Sequence, residues 1–85
     1  MLKIYSVSWC PHCRRTVDFL MKNHIDFMYF DMDKQPEDVE RQVIDANGGK
    51  SWVVPTLEYN GKWRPGKPHN ESELRTDLGK WGLLK

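Results

Sequence analysis

The segment Leu2-Lys3-Ile4-Tyr5-Ser6-Val7-Ser8-Trp9-Cys10-Pro11-His12-Cys13 opens an 85-residue chain and decides how the rest of it is read. Leu2 to Val7 alternates apolar and polar residues and is rich in β formers, which predicts a short strand. Pro11 suits the first turn of a helix, where its missing N–H is no loss. Val17, Leu20 and Met21 then recur at helical spacing, with Phe19 widening the stripe, until Asn23-His24 ends it. Ile25 to Asp31 predicts a second strand. Two strands around one helix make a βαβ unit, with Cys10 and Cys13 at its strand-to-helix junction.

Outward from this unit, Gln35-Pro36-Glu37-Asp38 places acids in a first helical turn, so a second helix is expected over Lys34 to Ala46. Val39, Val43 and Ile44 give it an apolar face, and Asn47-Gly48-Gly49 closes it. Thr56 to Asn60 and Lys62 to Arg64 flank Asn60-Gly61, the strongest short hairpin signal. After a stiff loop, Arg64 to Pro68, Asn70 reads as an N-cap with Glu73 three residues on. The last helix carries Leu74 and Leu78 and is expected to fray at Gly79 and Gly82. The string βαβ-α-ββ-α predicts one α/β domain over residues 1–85, a four-stranded mixed sheet flanked by three helices. That is a thioredoxin-like arrangement.

A disulfide closing so tiny a loop contributes little to a fold, since cross-link stabilisation grows with loop length. Beside a βαβ pattern, C-x-x-C reads as redox chemistry. The thiolate is the nucleophile, so such a site must lower a cysteine pKa from about 8.5. A helix N-terminus supplies up to ~2 kcal/mol, roughly 1.5 pKa units. His12 and Arg14 are candidate cations for any larger effect. Cys10 is expected to attack, and Cys13, nearly one turn further in, to be more buried, with a higher pKa, and to resolve the mixed disulfide. Pro11 keeps the turn rigid. Trp9 and Trp52 are expected to wall the dithiol groove.

Cys10-Pro11-His12-Cys13 after a first strand, with Asn47-Gly48-Gly49 and Val54-Pro55-Thr56 further on, resembles the glutaredoxins and mycoredoxins. The usual third residue of the family tetrapeptide is Tyr; here it is His12. Cys-Pro-His-Cys is similar to the tetrapeptide of the bacterial periplasmic disulfide oxidant, which implies a more oxidising couple. The chain has no room for that protein's long helical insertion. The resemblance implies a cis Pro55 facing the dithiol, with Val54 pairing to a bound thiol through its backbone. It also implies that Arg41 or Gln42 on the second helix meets the glycine carboxylate of a bound glutathione, while the N-terminus of the last helix, around Asn70 and Glu71, is expected to offer amides to a carboxylate. Glutathione-using members carry Lys where Val7 stands, and Gly-Gly-x-Asp where this chain has Arg64 to Asn70. The Trp63-Arg64-Pro65-Gly66 stretch resembles the glutaredoxin-like donors to ribonucleotide reductase. The substrate is thus expected to be a protein or small-thiol disulfide. The reductant is glutathione, another thiol, or a flavoprotein of the thioredoxin-reductase type, with no bound cofactor.

Composition narrows the classes. Four Trp, three Tyr and three Phe supply a core for a small domain, and thirteen basic residues against twelve acidic leave a net charge of +1. The cations are scattered, unlike the one-sided patch of a nucleic-acid binder. No apolar run approaches the ~20 residues of a membrane span, and no signal-peptide pattern is present. A cytoplasmic monomer is expected. The alternative from another class is a metal or iron–sulfur-cluster module using Cys10 and Cys13, with His12, His24 or His69 as further ligands. C-x-x-C is only half a tetrahedral site, and no second pair follows at finger-like spacing. Otherwise His24 and His69 read as solvated polar residues.

Overall fold

The structure, a computed structural model, describes residues 1–84; Lys85, the last residue of the expected domain, lies outside them. Strand β1 (Leu2–Ser6) leads into helix α1 (Pro11–Lys22), followed by β2 (Phe27–Asp31), a 3₁₀ turn (Met32–Lys34) and α2 (Glu37–Ala46). The hairpin β3 (Thr56–Tyr59) and β4 (Lys62–Arg64) precedes α3 (Glu71–Lys80). The sheet order is β2-β1-β3-β4. β1 runs parallel to β2, with Ile4 opposite Tyr29, and antiparallel to β3, with Ile4 opposite Leu57. The expected four-stranded mixed sheet with three helices is the observed one.

Alternation along the strands splits the core between the two sheet faces. On one, Leu2, Ile4 and Leu57 meet Phe19 and Leu20 of α1 and Leu74 and Leu78 of α3. On the other, Tyr5 and Val7 meet Met32 and Val43, with Val39 at the margin. Tyr5 stacks between Phe30 and Trp63, at centroid distances of 5.0 and 5.6 Å. Asn60 and Gly61 both take positive φ, 51° and 84°, as a two-residue hairpin turn of this type requires.

Several boundaries differ from expectation. β2 starts at Phe27 rather than Ile25, because His24 (φ 55°) takes the left-handed position after α1 and Ile25 N–H returns to the Leu20 carbonyl. Ile25 thereby closes the helix and packs into the core, and only then does the chain extend. α2 starts at Glu37 rather than Lys34. The residue before a proline avoids the α region, and Gln35 is extended (φ −91°, ψ 149°) before Pro36. The last helix does not fray at Gly79. It runs to Lys80 and closes with Leu83 N–H on the Leu78 carbonyl, Leu83 packing on the core.

Candidate active site

Cys10 is the N-cap of α1 and Pro11 its first residue. No side chain caps the helix, so its first-turn N–H groups are free to favour an anion at this end. Cys10 is half-buried, whereas Cys13 is 1% exposed, and both thiols are free. Burial pushes the Cys13 thiol up to about 11, while the nearby Ser6 hydroxyl and the Val7 backbone pull it down. The Cys10 thiol, in hydrogen-bonding contact with Cys13, adds to the upward push. An accessible thiol thus stands at the helix end with a buried, protonated one beside it.

Ser6 sits behind Cys13 on β1. Its hydroxyl is buried without a formed hydrogen bond, yet lies close enough to the sulfur to lower the thiol's pKa. A thiol is a poor acceptor and a thiolate a good one, so this contact tightens when Cys13 ionises. Ser6→Ala is expected to slow the release of substrate from Cys10 roughly tenfold, the scale of one hydrogen bond to a charged group. Quenched-flow decay of the mixed disulfide measures it.

His12 follows a course the spacing could not show. Its Nδ1 accepts from the His69 backbone N–H at 3.1 Å, so that nitrogen carries no proton. Thr16 Oγ1 donates to the His12 carbonyl at 2.9 Å and lies 3.2 Å from His69 Nδ1. With the hydroxyl proton so used, His69 Nδ1–H is the donor to Thr16. His69 is therefore half-buried against α1, not solvated as expected. Burial lowers its pKa below 6.5, with Arg15, His12 and Arg64 adding to that and Glu71 opposing. A depressed histidine contributes stability that is complete above the unfolded value and lost as pH falls through it. Melting temperature is thus expected to fall as pH drops below about 6.5, and the fall is expected to shrink in His69→Gln.

The cis-proline side is built from distant pieces. The Val54–Pro55 bond is cis, Pro55 is buried, and Val54 and Trp52 pack with Cys10 against the cluster containing Cys13. Asn47, expected only to end α2, holds this loop. Its Nδ2 donates to the Val43 carbonyl (2.8 Å) and Thr56 Oγ1 (3.0 Å), and its Oδ1 accepts from Gly66 N–H (2.8 Å). Thr56 Oγ1 in turn donates to the Val53 carbonyl at 2.5 Å. No local signal marked Asn47 or Ser6; their roles depend on contacts across the sheet.

The other expected site residues lie around this centre. Trp9 is 67% exposed beside Cys10, its indole N–H bonded to Asp33 at 2.9 Å. Arg41 is exposed on α2. The Asn70 side chain caps α3, accepting from Glu73 N–H and from the Ser72 hydroxyl, both at 3.0 Å. Val7 is fully buried. Arg14 lines a cleft of about 260 Å³ that reaches Ser6 and Cys13. Among the described residues, no three His, Cys, Asp or Glu side chains are placed to hold a metal ion. No helix among them is long and apolar enough to cross a membrane.

Fold and site together define a dithiol protein of the thioredoxin-fold class. The family model for glutaredoxin matches residues 2–63, and the chain belongs to the glutaredoxin family. Mycoredoxin 1 of Corynebacterium glutamicum is 32% identical over 57 residues, 67% of each chain. An uncharacterised glutaredoxin-like 8.6 kDa protein from the rubredoxin operon of Clostridium pasteurianum is 32% identical over 62 residues, 72% of this chain and 77% of that one. Among solved structures, a glutaredoxin from Archaeoglobus fulgidus superposes with a TM-score of 0.71 at 32% identity, over 88% of this chain and 82% of its own. The thioredoxin-like protein BC3987 shares the fold, with a TM-score of 0.69 at 24% identity over 89% and 97%. Family membership supports thiol–disulfide oxidoreductase chemistry, and Cys10-Pro11-His12-Cys13 is consistent with its active site.

Proposed function

We propose that this protein reduces protein or small-thiol mixed disulfides by a dithiol route, with electrons drawn from a flavoprotein reductase rather than from glutathione. The contrast between half-buried Cys10 and fully enclosed Cys13 carries the reading. The Cys10 thiolate attacks one sulfur of the substrate disulfide; that S–S bond breaks, and the departing thiolate takes a proton from solvent. Cys13 then loses its proton and attacks the Cys10 sulfur, expelling the second substrate thiol. Two electrons have passed to the substrate, and Cys10–Cys13 is left as a disulfide for the reductant. Trp9, Val54 and Pro55 border the path to Cys10, and an extended substrate backbone would pair at Val54.

The reductant assignment draws on two placements. Val7 stands where glutathione-using members carry Lys, and it is sealed in the core. Asn70, at the start of α3, has its side chain committed to capping. Turnover of a mixed-disulfide peptide should be at least tenfold faster with NADPH and thioredoxin reductase than with glutathione and glutathione reductase, about 1.4 kcal/mol in the transition state. Equal or faster turnover with glutathione would reject the reductant assignment while leaving the dithiol route intact.

A further inference from the structure

Given the dithiol route above, we propose that the Cys13 proton leaves through the Ser6 hydroxyl into a cleft between α1 and the β1–β2 side of the sheet, where Asp18 accepts it through water. The cleft measures about 260 Å³, and Ser6, Cys13, Arg14, Asp18 and Tyr29 are among the residues that line it. Asp18 is its one carboxylate.

Strand alternation and helix spacing bring these residues together. Ser6 lies two residues beyond Ile4, and Tyr29 is opposite Ile4 on β2, so all three share the face that packs on α1. On α1, Cys13 and Val17 stand one above the other toward the sheet, and Arg14 and Asp18 form the adjoining row, also one turn apart. A cleft of this size holds several waters at about 30 Å³ each, with polar side chains along its walls to bind them. Asp18 makes no ion pair among the described residues, so its carboxylate is free to take a proton.

Elimination leads from Cys13 to Ser6. The groups that act on the Cys13 thiol at close range are Ser6, the Val7 backbone and Cys10. Cys10 is locked in the mixed disulfide when Cys13 must ionise. The Val7 backbone lowers the thiol's pKa, as a donor does, and a donor cannot receive the proton. Ser6 remains. Its hydroxyl is buried and has no hydrogen-bond partner among the described residues, so its proton and both lone pairs are uncommitted.

The transfer is a concerted shift. The S–H proton of Cys13 passes to Ser6 Oγ, the Ser6 proton to a cleft water, and a proton of that water to Asp18, which returns it to solvent. The Cys13 electron pair forms the bond to the Cys10 sulfur, and the Cys10–substrate S–S bond breaks to release the substrate thiolate. Ser6 ends with its new proton toward the sulfur.

Quenched-flow decay of the wild-type mixed disulfide with 2-mercaptoethanol tests this route. Asp18→Asn should slow the decay roughly tenfold, less than the ~10²-fold or more of direct proton transfer because water intervenes. Asp18→Glu should keep most of the rate. Formate at about 0.1 M, small enough for the cleft and attracted by Arg14, should restore the Asp18→Asn rate, and equal chloride should not. Formate should do nothing for Ser6→Ala, in which the sulfur has no link to the cleft. Asp26→Asn, the same loss of charge at an exposed site outside the cleft, should decay like the wild type. An unslowed Asp18→Asn, a slow one that formate leaves slow, or equal rescue by chloride would each overturn the proposal. Formate rescue of Ser6→Ala would overturn it too. A wild-type mixed disulfide that never decays would reject the dithiol route and this proposal with it.

Discussion

Cys13→Ser protein mixed with a disulfide substrate should accumulate one covalent adduct per chain on Cys10, while Cys10→Ser should form none and lose turnover by more than about a thousandfold. The asymmetry follows from burial. Cys13 is 1% exposed, so no substrate disulfide reaches its sulfur without moving the first turn of α1. Its thiol, pushed up to about 11, is overwhelmingly protonated at neutral pH and acts only when Cys10 presents a disulfide beside it. Serine at position 13 keeps the packing nearly unchanged but cannot expel the substrate. Serine at position 10 removes the only thiol a substrate can meet. Intact mass and peptide mapping distinguish the two. An adduct on Cys13 in Cys10→Ser, formed at a comparable rate, would reverse the assigned roles.

Gly66→Ala is expected to lower turnover by roughly ten- to a hundredfold, the range in which small displacements of a reacting partner act. A Cβ on Gly66 would stand 2.5 Å from the Val53 carbonyl carbon and oxygen, which are backbone and cannot swing aside as a side-chain tip could. Either the Val53-Val54-Pro55 segment retreats or Gly66 does. Retreat of Gly66 breaks its N–H bond to Asn47, whose other bonds hold α2 and Thr56. Overpacking of this kind costs about 1–3 kcal/mol, which for a chain this size lowers Tm by roughly 4–20 °C. The activity loss should exceed what the melting curve explains, because folded molecules still carry a displaced cis-proline loop. A Gly66→Ala protein with wild-type turnover would mean that the loop's position does not matter to the reaction.

Local chemistry made most of the architecture readable, and non-local contact hid the rest. Pro11, Asn60-Gly61, Asn70 with Glu73, and Asn47-Gly48-Gly49 each impose their structure within four residues, and each stands where its chemistry puts it. The misplaced boundaries had local causes too, but the competing signals were stronger: Ile25 reads as a β former until its return to Leu20 is seen, and the acids after Pro36 outweighed the effect of Pro36 on Gln35. The site divides the same way. Cys10 and Cys13 were legible because three residues on a helix end fix their relation. The His12–His69 bond spans 57 positions and the Asn47–Gly66 bond 19, and neither leaves a trace in spacing or periodicity. Ser6 is one polar residue in a strand, and only the packing of α1 against β1 turns it toward Cys13.

Alkylation of the reduced wild-type protein with limiting iodoacetamide near neutral pH, with the label mapped by mass, tests the division of labour most directly. Label is expected on Cys10 at least tenfold above Cys13, with Cys13 labelled fully only after denaturation. Equal labelling of both thiols in the folded protein, or preferential labelling of Cys13, would contradict it.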